Sequence, residues 1–171
     1  ERLLIDPFCG SGTIAVEAAM LMRNIAPGLG REFASQKWEC ISPEIWKEER
    51  KMAYEAIDYD RKIRIQASDI SKKAVSAARA NAEEAGVDDC IEFFVRPFQK
   101  LSISDKYSII ICNPPYGERI GEKEELIPLY HHLRSLLQKD PTLSAYVITA
   151  DKELENYIKP REPDRRRKLY N

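Results

Sequence analysis

No two cysteines in the sequence stand at CxxC spacing: Cys9, Cys40, Cys90 and Cys112 are scattered. This argues against a zinc site or a disulfide framework and for reduced, mostly buried thiols. The longest apolar runs, such as SIIIC and AYVITA, fall far short of the ~20 residues a membrane span needs. No secretory pattern opens the chain, and the expectation is a cytoplasmic protein with no membrane contact. A basic excess is missing too: 27 Lys and Arg against 28 Asp and Glu leave a formal charge of −1. Charge alone therefore gives no support for a nucleic-acid partner, although REPDRRRK at 161–168 gathers basic residues. Histidine is scarce. His131 and His132 are neighbours on a predicted helix with no carboxylate at metal-like spacing, so they are expected at the surface and the core edge, and no metal is expected. There is no initiator Met, internal repeat or low-complexity tract. The chain is expected to be a piece of a larger protein.

What is present suits one domain with a proper core. Apolar runs alternate with helical periodicities, which predicts an α/β fold with a doubly wound, mostly parallel sheet between helices. Strands are expected at RLLIDPF (2–8), KIRIQASD (62–69), CIEFFV (90–95), YSIIIC (107–112) and LSAYVITA (143–150), and RRRKLYN (165–171) can open a sixth. Helices are expected at 13–22, at 72–85 with Ser71 as cap and Gly86 as stop, and at about 125–138. Residues 23–61 break the rhythm as an insert. A loop with Pro27, Gly28 and Gly30 precedes a helix from Pro43, with Trp46, Met52, Ala53 and Ile57 on one face.

DPFCGSGT (6–13) falls at a strand-to-helix turn, where doubly wound sheets bind ligands. Gly10 and Gly12 allow close backbone approach. A third glycine and a following GK[ST] are both lacking, which disfavours a dinucleotide and a nucleotide phosphate. Asp6 at the strand end repels phosphate and attracts an ammonium group, favouring a zwitterionic or cationic ligand such as S-adenosylmethionine. Asp69, ending the second strand, can accept both hydroxyls of a ribose or help start the next helix. Ile70 beside it joins the expected cofactor pocket. After the third strand, Pro97 and Phe98 can give an adenine pocket an apolar wall, with the Phe98 N–H as donor, or simply form a loop.

CNPPYG (112–117) follows the apolar run YSIII. Neither proline can donate to a ladder, so the strand must stop there. An exocyclic base amine is a weak nucleophile because its lone pair is delocalised. The Asn113 side-chain carbonyl and the Pro114 backbone carbonyl can grip its two hydrogens and aim that lone pair. Tyr116 can stack on the base. With the methyl already activated by a sulfonium, alignment does most of the catalytic task. The target nucleotide must be extruded or single-stranded.

With these motifs together, the chain resembles the class I methyltransferases of exocyclic amines. More narrowly it resembles the bacterial THUMP-containing enzymes that methylate guanine N2 in large-subunit ribosomal RNA. The stretches that carry the resemblance are LLIDPFCGSGTIAVEAA (3–19), NIAPGLGREFASQKW (24–38), SDISKKAVSAARANAEEAGV (68–87), NPPYGERIG (113–121) and RRRKLYN (165–171). The resemblance implies a Rossmann-like, three-layer catalytic domain over 1–171, cofactor contacts at Asp6, Phe8, Gly10, Gly12 and Thr13, and Asp69 on the ribose. It implies a base held by Asn113, Pro114 and Tyr116, and ribosomal RNA as partner. The family has an N-terminal RNA-capturing module and a further strand, neither found in this chain. It often carries Asp at the position of Pro97, contacting the adenine amine. Arg119 and the cluster Arg165–Lys168 can contact RNA phosphates or be solvated surface, and Arg31 and Phe33 can line the RNA side or pack. Two alternatives stand beside this reading: an adenine-N6 methylase of DNA or RNA, and a non-catalytic RNA-binding module on the same fold.

Overall fold

The structure is a computed structural model that describes residues 2–115 and 122–168, with the backbone alone described at 122–125. Five strands form one parallel sheet in the order β3-β2-β1-β4-β5: β1 (Leu4–Asp6), β2 (Ile65–Asp69), β3 (Ile91–Val95), β4 (Ile109–Cys112) and β5 (Ser144–Val147). Helices are α1 (Thr13–Met22), α2 (Pro43–Glu55), α3 (Lys72–Glu84), α4 (Glu122–Lys139) and α5 (Leu154–Ile158). The strands are shorter than their hydrophobic runs. Pro7 cannot continue the β1 ladder, which pairs with β2 only through Leu4–Asp6.

Alternation along the strands divides the core in two. Leu4, Ile65, Ala67, Ile91 and Phe93 pack with Ala15, Val16 and Ala19 of α1 and Val75, Ala78 and Ala82 of α3. Leu3, Ile5, Ile110 and Cys112 pack on the other face with Tyr130, Leu133 and Leu137 of α4 and Leu154 of α5. This is the expected three-layer, Rossmann-like architecture. Ser71 caps α3 by accepting from the Ala74 N–H at 3.3 Å.

The insert departs from the expected packing. Ser42 caps α2, yet α2 buries no residue and Met52 is 51 % exposed. Its ties run from its middle and from just past its C-terminal end. Arg50 donates to the carbonyls of Leu29 (3.0 Å) and Arg31, while Asn24 Nδ2 donates to Ala56 (3.0 Å) and the Asp58 N–H to Arg23 (2.9 Å). Arg23 is anchored in turn by Asp89 and the Gly86 carbonyl. The sixth strand does not begin at Arg165–Lys168, which have no strand pairing; residues 169–171 lie outside the described residues. Arg166 instead pairs with Glu155 of α5 at 2.6 Å, a short helix whose sequence carries no cap or long periodicity to announce it.

Candidate active site

The chain runs outward from β1 to β2 and β3, then returns to place β4 on the other side of β1, where Leu4 and Ile5 pair with Ile109 and Ile110. The carboxyl ends of β1 and β4 therefore form the topological switch point, the place where open α/β sheets bind ligands. The Asp6–Thr13 turn emerges on one side and Asn113–Pro114 on the other.

The turn is held by its neighbours. The Cys9 N–H donates to Ser68 C=O at 3.0 Å, and the Gly10 N–H to Asp69 Oδ2 at 3.0 Å. Asn81 of α3 donates from Nδ2 to the Ser11 carbonyl at 2.9 Å. Asn81 escaped the sequence reading; its one signal is an amide among the alanines of α3. Gly10 (φ 52°) and Gly12 (φ 89°) occupy backbone conformations that other residues resist. They differ in purpose. A Cβ on Gly10 would meet open space, whereas one on Gly12 would lie 2.9 Å from the Ala78 Cβ. The missing side chain of Gly12 thus serves the approach of α1 to α3. Gly12 also stands where α1 begins, with no side chain capping the helix.

Asp6 is 1 % exposed, and its Oδ1 accepts from the Phe8 N–H at 3.3 Å while Oδ2 is buried with no partner among the described residues. Burial, opposed by the Phe8 N–H and helped by the charge of Asp69, pushes its carboxyl from 3.8 up to about 7. Asp69 makes the expected helix-start contact, with Oδ1 accepting from the Ser71 N–H at 2.8 Å, and its Oδ2 accepts from the Gly10 N–H of the turn. A carboxylate oxygen has lone pairs to spare beyond one such bond. The following Ile70 is 74 % exposed and offers an open apolar face. Thr13 is exposed and Phe8 half-buried.

Phe98 lies deeper than an exposed pocket wall. Its ring is 5 % exposed, packed at 4.8 Å from Phe8 and 5.0 Å from the edge of His132, whose Nε2 lies 3.0 Å from Leu101 O. The ring is core, in contact with Phe8 of the turn, and together with Phe8, Cys112 and Pro114 it lines a small apolar cavity. Arg96, also unremarked in the sequence, has its backbone N–H on Asp69 C=O at 3.0 Å and its guanidinium 4.6 Å over Phe94.

Asn113 is exposed at the end of β4 and Pro114 is buried behind it, while the Cys112 carbonyl accepts from the Ile148 N–H at 2.9 Å. Tyr116 and Arg119 lie outside the described residues. Burial pushes the thiols of Cys9 and Cys112 up to about 12, so neither is a thiolate nucleophile near neutrality. Among the described residues no His, Cys, Asp and Glu cluster could hold a metal ion, and no helix is long and apolar enough to cross a membrane.

What the turn asks of a ligand follows from these groups. A buried, unpartnered carboxylate oxygen calls for a donor, best a cation. An uncapped helix start calls for an anion. An amino-acid zwitterion answers both, and Asp69 beside Ile70 suits a nucleoside. The residues present fit S-adenosylmethionine.

Comparison with known proteins agrees with this geometry. The family model described as "RMKL-like, methyltransferase domain" matches residues 1–171. "Putative RNA methyltransferase YpsC" of Bacillus subtilis strain 168 is 40 % identical over 171 residues, covering 100 % of this chain and 44 % of that protein. "Ribosomal RNA large subunit methyltransferase K/L" of Legionella pneumophila strain Corby is 37 % identical over 173 residues, covering 93 % of this chain and 24 % of that protein. The crystal structure of SMU.472 complexed with SAH superposes with a TM-score of 0.92 at 34 % identity, covering 100 % of this chain and 45 % of the other. The chain spans less than half the length of each.

Proposed function

The chain belongs to the RMKL-like methyltransferase domain family, and from that premise we propose that it transfers a methyl group from S-adenosylmethionine to guanine N2 of large-subunit ribosomal RNA. The observation that carries the reading is the switch point itself. It sets the acid-flanked turn after β1 directly beside the Asn113–Pro114 carbonyls after β4. Relatives named as ribosomal RNA large subunit methyltransferases, and a solved neighbour holding SAH, support the substrate and the cofactor.

Asp6, Phe8, Gly10, Gly12 and Thr13 would hold the amino-acid end of the cofactor, with Asp69 on the ribose and Ile70 against the adenine. The backbone N–H of Phe98 remains a candidate donor even though its ring is core. S-adenosylmethionine supplies a methyl that is already electrophilic, so the protein's task is alignment. Asn113 Oδ1 and the Pro114 carbonyl accept the two N–H bonds of the base amine and turn its lone pair outward from the ring. Pro114 and Pro115 have restricted backbones, which fixes that carbonyl before substrate arrives. Tyr116 would cover the base face. After transfer the extra proton departs to water, so no strong general base is needed at the site.

Incubating the full-length protein with labelled cofactor and ribosomal RNA lacking its own modifications, followed by nucleoside analysis, tests this. Label in N2-methylguanosine is expected. Label in N6-methyladenosine would transfer the reading to the adenine chemistry that the same carbonyl grip permits. Calorimetry showing no S-adenosylhomocysteine binding would point to a non-catalytic RNA-binding module.

A further inference from the structure

The insert carries a groove that the methyl-transfer reading does not use. Gln36, Pro43, Trp46, Lys47 and Arg50 line an open groove of about 340 Å³, near the lower end of the ~300–1,000 Å³ typical of small-molecule sites. Four of these lie on one stripe of α2 at i, i+3, i+4 and i+7, which Tyr54 extends. All four carboxylates of α2 (Glu44, Glu48, Glu49 and Glu55) occupy the remaining arc. The stripe thus presents Pro, Trp, Lys, Arg and Tyr without an acid, on a helix otherwise rich in glutamate.

The aromatic wall is built rather than incidental. Trp46 stacks on Phe33 at 5.9 Å and 18°, and the Arg31 guanidinium lies 4.9 Å over Phe33. Arg50 ties the loop beneath by donating to the Leu29 and Arg31 carbonyls, which leaves its charge unneutralised. Lys47 is exposed and has no ion-pair partner among the described residues. A second observation shows that the wall is incomplete as it stands. The Trp46 indole N–H is buried without an acceptor among the described residues, whereas a buried indole N–H ordinarily has one.

We propose that this groove binds single-stranded RNA, an unpaired base stacking on Trp46, which Phe33 backs, while Lys47 takes the adjoining phosphate. Aromatic faces interleaved with uncompensated cations are the chemistry that unpaired nucleotides select. The proposal rests on the reading of the chain as acting on RNA but involves none of the methyl-transfer residues. Its test is made without cofactor, so its failure leaves the nucleoside assay to judge that reading separately.

The probe is a fluorescent oligouridylate titrated into the chain at two salt concentrations. Lys47→Glu, a surface change that leaves the Phe33 stack intact, should weaken binding about tenfold and lower the salt slope by about one. Lys62→Glu, an equal change of charge away from the groove, should not. In a Trp38→Phe background, saturation should quench the remaining Trp46 emission. Equal affinities for Lys47→Glu and the parent, or equal weakening by Lys62→Glu, would overturn the proposal. So would a self-associating parent that Lys47→Glu converts to monomer in sedimentation, which would make the groove a contact between copies.

Discussion

Asp6 links the chemistry of the site to the stability of the fold. Burial pushes its carboxyl up to about 7 in the folded state from an ordinary 3.8. Between those values the native state holds a proton that the unfolded chain has released, so stability falls as pH rises through the window. The upper bound on that loss is about 4 kcal/mol at 1.36 kcal/mol per pH unit. Asp6→Asn removes the titration. Thermal melts without cofactor should show the variant more stable than wild type at pH 8, with the gap narrowed to less than half at pH 5 and closed only below about pH 4; equal melting at pH 8 would show that Asp6 is ionised at no cost. Cofactor affinity should move the other way, because a cation beside Asp6 favours the carboxylate. Wild-type S-adenosylhomocysteine binding should tighten as pH rises to about 7 and then level, and Asp6→Asn should bind at least about tenfold more weakly. On the proposed function Asn113 would act at a different step. Asn113→Ala should slow methyl transfer by about a hundredfold or more with cofactor affinity nearly unchanged, as loss of an alignment contact requires. Equal losses in both would place the amide in the cofactor site.

At the scale of elements, the contact between α1 and α3 depends on a missing atom. A Cβ on Gly12 would stand 2.9 Å from the Ala78 Cβ and 3.2 Å from its Cα. Gly12→Ala therefore suffers both the left-handed backbone and the overlap, together about 2–4 kcal/mol. Adding Ala78→Gly relieves the overlap alone, so urea melts should show a favourable coupling of about 1–2 kcal/mol between the two changes. Strict additivity would mean that the helices are not pressed together at this point. Gly12 also shows what a sequence hides: the turn asked visibly for glycine, but whether the space was meant for a ligand or for a helix depended on a residue 66 positions away. Elements governed by local chemistry were legible. α1 lies where its periodicity put it, and α3 begins at the Ser71 cap and ends at Glu84, one residue before its expected last residue. Elements governed by distant partners were not. The strands stop where pairing stops rather than where apolar residues do. Phe98 became core because Phe8 and His132 meet it there. Of the apolar face drawn for α2, Ile57 falls beyond the helix and Met52 is 51 % exposed, since periodicity does not say whether anything covers a face.

Across the whole molecule, stability is unevenly shared, and hydrogen exchange should display the division. β1 and β4 lie at the centre of the sheet, between the two buried clusters, and α1, α3 and α4 each contribute core residues. α2 buries none. Its 13 residues make a helix of marginal intrinsic stability, held by carbonyl contacts from Arg50 at its middle and by Asn24 and Asp58 at its C-terminal end. Local opening of the insert therefore exposes little apolar surface and leaves both cores intact. Amides of 43–55 should exchange orders of magnitude faster than those of 4–6 and 109–112, at a free energy far below that of global unfolding. S-adenosylhomocysteine should add protection at 8–13 and 68–71, where the turn and Asp69 would hold it, while leaving 43–55 unchanged. The oligouridylate should do the reverse. Protection of α2 equal to that of β1 without ligand would show the insert to be a packed part of the core. A cofactor effect spreading into 43–55 would show that the groove and the methyl-transfer site are coupled through the fold rather than independent of one another.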